Sequence, residues 1–261
     1  MDNLSNRFNI SGYCNEHRAY FEESYVKTPF FRALTPERSA KETNELIRLC
    51  NFSSDDLILD LGCGQGRHCF ELKKRGYKPI GCDYSATLLK IGQSENMKRN
   101  LDVSFVRGNM SHLPFYAETF NWVLSLFGSF GYFDDIGNQS VLKEMCRVLK
   151  DRGRLLLDFW NKDYALNHLA EEEKYNTEDT GYLIQTTEYS PENKRVTRKR
   201  FFFGPDGKIS FKISYRLYTP EEIADSLRSV GLGVFALYGN YSGAKLTPDS
   251  RSMVIIAEKS G

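Results

Sequence analysis

"LDLGCGQGRHCFEL", residues 59–72, joins an apolar run to a helix-forming run through three glycines behind Asp60. Glycine there is costly unless the backbone must turn left-handed or something must approach it closely. A strand ending near Asp60, then Gly62, Gly64 and Gly66, then a helix, puts the loop at the carboxyl edge of a sheet, where open α/β sheets take their ligands. A plain strand-to-helix turn would not need so many glycines. The dinucleotide fingerprint GxGxxG requires a glycine where this chain has Arg67, and the Asp60 carboxylate would repel a pyrophosphate while suiting a ligand with cationic groups. The loop therefore points to a ligand other than a phosphate.

On either side the chain alternates strand and helix. Thr35 and Pro36 open a helix through "TPERSAKETNELIRLC", "DLILDLG" is a buried strand, and "GRHCFELKKRG" is a helix closed by Gly76. "YKPIGCDYS", "DVSFVRGNM", "FNWVLSLFG" and "GRLLLDFW" supply four more strands, with helices over "SATLLKIGQSENMKRN" and "NQSVLKEMCRVLK". Such alternation predicts right-handed crossovers and a parallel sheet covered on both faces. Over 181–217 the rhythm changes to strand-like runs broken by "SPEN" and "GPDG", an antiparallel meander. "TPEEIADSLRSVG" returns as a capped helix, followed by the strands "VFALYGNY" and "SMVIIAEK". The aromatic-rich segment before Pro29 reads as helical, ending near that proline.

The 261 residues are 41% hydrophobic and 26% charged with a net charge of +1, enough to bury a sizeable core and too little charge to draw nucleic acid or an anionic membrane. No secretory leader or bilayer-length apolar run is visible. Cys14, Cys50, Cys63, Cys69, Cys82 and Cys146 lack the paired spacing of a disulfide framework or zinc cage, so reduced thiols in a cytoplasmic, metal-free protein are expected.

The glycine loop resembles motif I of the class I S-adenosylmethionine (SAM)-dependent methyltransferases, and "CGQGRH" is similar to its form in many small-molecule members. The resemblance extends from about residue 40 to the C-terminus and is most specific over 57–92. It implies a doubly wound, Rossmann-like sheet of seven strands, mostly parallel, whose last strand inserts antiparallel, plus the small antiparallel addition. The cofactor it implies is SAM, released as S-adenosylhomocysteine. Asp60, Gly62, Cys63 and Gly64 would meet the zwitterionic methionyl end. In "IGCDYS", Asp83 would accept bonds from both ribose hydroxyls and Tyr84 would cover an adenosine face. In "VRGNMSHLPF", Asn109 stands where the family usually has aspartate, its amide oxygen still able to accept from the adenine amino group, with Met110 as an apolar wall. In "SLFGSFGYF", Ser125 to Phe127 would pass beneath the methionyl part, while Phe130 and Tyr132 could shape the acceptor pocket.

The acceptor is less legible, because methyl transfer needs orientation more than a particular base. Candidates are His17, Tyr20, Tyr25, His68, Trp160, Asn161, Arg216, Tyr238 and Tyr241; among these, His17, Tyr20, Trp160 and Asn161 are the candidate catalytic residues. His68 suits packing better than catalysis. The basic run 194–200 suits a solvated hairpin face, with recruitment of an acidic substrate as the alternative. Residues 1–36 are expected to form a lid segment on a methyltransferase domain of 37–261. The aromatics Tyr13, Tyr20, Phe21, Tyr25, Phe30, Phe31 and Tyr215 suggest that the lid and the 181–217 insertion close over the donor around a small-molecule acceptor, in a monomer or homodimer. Simple docking of the N-terminal segment on the core, or on a second subunit, is the alternative. A SAM-binding regulator without activity and a nicotinamide-dependent oxidoreductase are the competing functions.

Overall fold

The computed structural model describes residues 19–177, 181–204 and 207–261. Tyr13, Cys14, His17 and the rest of the lid segment before residue 19 lie outside the described residues.

In chain order the helices are α1 (Pro29–Arg32), α2 (Pro36–Cys50), α3 (Arg67–Lys74), α4 (Ala86–Lys98), α5 (Asp135–Val148), α6 (Lys162–Asn167) and α7 (Pro220–Arg228). The strands are β1 (Leu57–Leu61), β2 (Lys78–Asp83), β3 (Ser104–Arg107), β4 (Phe120–Ser125), β5 (Leu149–Trp160), β6 (Glu172–Thr177), β7 (Gly181–Ser190), β8 (Arg195–Gly204), β9 (Gly207–Arg216), β10 (Leu232–Tyr238) and β11 (Ser252–Lys259). One sheet runs β10-β11-β5-β4-β1-β2-β3 and the other β6-β7-β8-β9. In the larger sheet β11 is antiparallel to both its neighbours, β5 and β10, and the remaining pairings are parallel.

Local chemistry sets the helix starts. The Thr35 hydroxyl accepts the Arg38 N–H, the Ser85 hydroxyl accepts the Leu88 N–H, and Thr219 with Glu222 closes a reciprocal capping box on α7. Successive β1 residues then feed opposite layers. Leu59 and Leu61 pack with Val141, Leu142 and Met145 of α5, whereas Ile58 packs with Leu46 and Cys50 of α2.

Two expectations fail locally. The N-terminal segment does not end its helix at Pro29. Tyr20–Ser24 forms a π-helical turn and Tyr25–Lys27 a 3₁₀ turn, and Thr28 then caps a new helix whose first residue is Pro29. Proline lacks the N–H that an interior position would use, but a first position does not need it. The antiparallel addition also starts earlier than 181, because Glu172–Thr177 pairs with β7 and makes a fourth strand.

Candidate active site

A cavity of about 390 Å³ opens at the carboxyl ends of β1, β2 and β4. From the β1 loop, Asp60, Gly62, Cys63 and Gly64 line it; Asp83, Tyr84, Asn109 and Met110 follow from the β2 and β3 ends. The three glycines serve different ends. A Cβ on Gly62 (φ +80°) would stand 2.7 Å from Ser129, and one on Gly66 (φ +79°) 2.4 Å from the Phe105 ring, so the fold's own packing excludes both. At Gly64 (φ +58°) a Cβ would meet Leu88 alone among the described residues beyond its chain neighbours, at 3.8 Å, which leaves this glycine's open side free for something else.

Asp83 braces the loop. Its Oδ2 accepts the Gly64 N–H at 2.7 Å and its Oδ1 the Ser85 N–H at 2.8 Å. A carboxylate offers about four lone-pair sites, so acceptor capacity remains beyond these two bonds. Burial raises the Asp83 pKa, while the Ser85, Gly64 and Tyr84 amides pull the other way. Asp60 is buried, with the Cys69 thiol 3.4 Å from its Oδ2, and burial pushes its pKa up to about 6. A buried carboxylate with one weak donor is under-satisfied and suits a cation.

The loop after β4 makes the opposite wall. Phe127 holds a left-handed backbone (φ +53°), uncommon for a bulky residue and a form of stored strain. Asp158 fixes it: its Oδ2 accepts the Phe127 N–H at 2.9 Å and the Tyr241 hydroxyl, and its carbonyl accepts the Gly128 N–H at 2.9 Å. The Phe127 ring stacks on His68 at 5.2 Å and lies under the Arg67 guanidinium at 4.4 Å. Burial, then Arg67, pushes the His68 pKa down to about 4, which keeps the imidazole neutral at physiological pH. Burial would raise Glu42, yet bonds from His68, Arg67 and Arg38 hold it down to about 2.

The N-terminal segment reaches this site through Glu22, which sequence reasoning missed. Its carboxylate accepts the N–H groups of Ala86 and Thr87 at 3.1 and 3.2 Å and pairs with Arg107, while the Ser85 hydroxyl donates to the Phe21 carbonyl. A carboxylate at the start of α4 answers unpaired amides and the helix dipole. Tyr20, Phe21, Tyr25 and Phe30 line the cavity from this segment, facing Trp160, Ile213 and Tyr215.

Several expected residues are used otherwise. Ser125 stands behind the wall, its buried hydroxyl without a partner among the described residues, and the lining starts at Leu126. Phe127 lines the cavity, but its N–H is committed to Asp158. The Asn109 amide oxygen accepts the Ser111 N–H and hydroxyl, both at 3.0 Å, so the residue builds a turn at the point where it lines the cavity. Asn161 caps α6 and donates to the Thr247 and Ser250 carbonyls, which ties down a loop. Arg216 pairs with Asp135 and Glu222, Tyr238 packs on the core, and Tyr241 serves Asp158. Phe130 is buried in the core, whereas Tyr132 and Trp160 reach the cavity. His17 lies outside the described residues.

Residues 58–153 match a family described as Methyltransferase domain. A demethylmenaquinone methyltransferase from Thermobifida fusca is 29% identical over 161 residues, 56% of this chain and 67% of that protein. Residues 58–153 carry a methyltransferase domain, as the glycine loop implied. The methyltransferase fold extends over nearly the whole chain. A SAM-dependent methyltransferase from Clostridium acetobutylicum superposes with a TM-score of 0.77 at 19% identity, covering 99% of this chain and 100% of that one. The CcbJ methyltransferase from Streptomyces caelestis gives 0.74 at 18%, covering 85% and 90%. The class I cofactor also fits the chemistry present: an open cradle at Gly64, a donor-poor buried carboxylate at Asp60 and spare lone pairs on Asp83. Among the described residues no helix is long and apolar enough to cross a membrane, and no cluster of His, Cys, Asp and Glu is gathered as a metal site.

Proposed function

We propose that this methyltransferase acts on a small-molecule acceptor and works mainly by orientation. One observation carries the reading: a single cavity holds both the glycine loop with its carboxylates and a wall of aromatic side chains from the N-terminal segment and the smaller sheet. A cavity walled on one side by aromatic side chains suits a compact molecule better than a polymer.

SAM supplies an electrophilic methyl group on a sulfonium. Asp83 would hold the ribose hydroxyls with its spare lone pairs, and Tyr84 and Met110 would flank the adenosine. Asp60 would face the cationic methionyl end, with the backbone at Gly62, Cys63 and Gly64 close by. Arg38 and Arg67, which line the same cavity near Phe127, are placed to meet a carboxylate. Residues 19–36 and the insertion act as a lid that excludes water around the reacting atoms. Tyr20 anchors that lid: its hydroxyl accepts from Arg200 at 3.0 Å and its ring packs on Phe211 at 4.4 Å. Holding acceptor and methyl in line can supply roughly 7–11 kcal/mol of the barrier reduction without a base.

The test follows methyl-labelled SAM in a cell extract separated into small-molecule, protein and nucleic-acid fractions. Label confined to the small-molecule fraction is expected. Label in either polymer fraction, or none despite SAM binding, would overturn the reading.

A further inference from the structure

The face that the smaller sheet turns to the cavity carries cationic groups for which the donor has no use. The period of two in β8 sends Lys199 outward to Glu188, at 3.0 Å, and brings Arg198 and Arg200 to the cavity. Arg200 is engaged, its Nε donating to Gln185 at 2.6 Å and its Nη1 to the Tyr20 hydroxyl. Gln185 in turn donates to Glu173 at 2.6 Å, so the nearby carboxylate is linked to Arg200.

Arg198 has no such arrangement. Its Nε is buried without a partner among the described residues, and the same is true of the Tyr215 hydroxyl and of the Thr187 hydroxyl, on the residue paired with Arg198 across the ladder. The guanidinium lies 4.9 Å from the Trp160 ring and 5.5 Å from that of Tyr215, and Arg251 covers Trp160 at 5.2 Å. Buried polar groups are nearly always satisfied, so three orphans on one face mark a place where a partner is to be supplied. A planar guanidinium is built for paired hydrogen bonds to a carboxylate or phosphate, and the indole beside it for a flat apolar body.

We propose that the methyl acceptor is an anionic small molecule with a flat apolar body, its acidic group held by Arg198 and the Tyr215 hydroxyl and its body set against Trp160. The proposal rests on the methyltransferase reading and adds the charge of the acceptor to it. A negative acceptor would also balance the positive charge that Arg198, Arg200 and Arg251 place in a cavity that must admit a sulfonium.

The test uses 2-naphthoate and 2-naphthamide, similar in shape and different in charge, titrated calorimetrically into the full chain saturated with S-adenosylhomocysteine. The naphthoate is expected to bind roughly tenfold or more tightly than the amide, and Arg198→Gln to erase that preference with SAM affinity unchanged. Tyr215→Phe should weaken naphthoate alone. Equal binding of the two probes, binding of neither, or a preference that survives Arg198→Gln would overturn the proposal while SAM binding stands. Failure of SAM itself to bind would remove the donor reading and this proposal with it.

Discussion

Replacing Asp83 with alanine removes an acceptor that serves the protein and, on the proposed reading, the donor. Within the chain two amides lose their partner, Gly64 N–H at 2.7 Å and Ser85 N–H at 2.8 Å. Toward the ligand, two hydroxyl-to-carboxylate bonds vanish. Hydrogen bonds to charged groups contribute about 1.5–3 kcal/mol each, so the ligand side alone predicts a loss of about 3–6 kcal/mol, or roughly 10²–10⁴-fold in Kd. The two orphaned amides should lower stability as well, by about 2–6 kcal/mol. Calorimetric titration of SAM and S-adenosylhomocysteine, with thermal melting in parallel, separates the two effects. Asp83→Asn provides a further control. It keeps one acceptor oxygen but sets an NH₂ against one of the two amides, so it should retain part of the stability and little of the affinity. A folded Asp83→Ala protein whose SAM Kd stays within about threefold of wild type would take Asp83 out of the donor site, whatever its melting temperature.

On the proposed reading, in which Asp60 faces the cationic end of SAM, its pKa of about 6 should make SAM affinity depend on pH: Kd should be flat above neutrality and about tenfold weaker at pH 5. Asp60→Asn should flatten that profile. Because a raised folded-state pKa disfavours the native form as pH rises from 3.8 through about 6, the same change should stabilise the ligand-free protein at pH 7; a pH-independent wild-type Kd refutes the assignment. Gly66→Ala, whose Cβ would meet Phe105 at 2.4 Å, should cost about 2–4 kcal/mol, whereas Gly76→Ala, also at positive φ but in open space, should cost about 1; similar melting temperatures for the two would contradict the packing argument. Glu22→Ala removes the acceptor for the Ala86 and Thr87 amides and should cost about 1 kcal/mol while speeding proteolysis within residues 19–34; unchanged cleavage would mean that the contact does not hold the segment down. Deleting residues 1–34 should leave a protein that binds SAM but does not transfer methyl groups. Full transfer by that truncation would exclude the lid.

Much of the fold was readable because its signals are local. Thr35 before Pro36, Ser85 before α4 and the Thr219–Glu222 box each act within four residues of the helix they start. The glycine loop was equally legible as a loop, but two of its three glycines answer to Ser129 and Phe105, which no spacing rule could supply. Glu22 escaped notice because its partners lie 64 and 65 residues away in sequence. Asn161 looked like a site residue because it ends a strand at the ligand edge; its side chain is committed to the 247–250 loop, a matter of tertiary geometry. The basic run 194–200 divides between solvent and cavity. Alternation could indicate a division, but the covered face is known only once Tyr20 and Phe211 are seen packed on it.

Among the described residues no ladder joins the two sheets. The smaller one hangs in a single excursion between α6 and α7, held by the aromatic cluster around Tyr20 and Phe211 and by polar ties, among them Arg195 to the Tyr132 and Phe133 carbonyls and the Arg216 N–H to the Gly131 carbonyl. Selection can therefore rewrite the cavity-facing positions of β7, β8 and β9 without disturbing the register of the strands that carry Asp60 and Asp83. On the proposed reading the excursion is a cassette for the acceptor, and a library confined to it should change what receives the methyl group while SAM affinity stays the same.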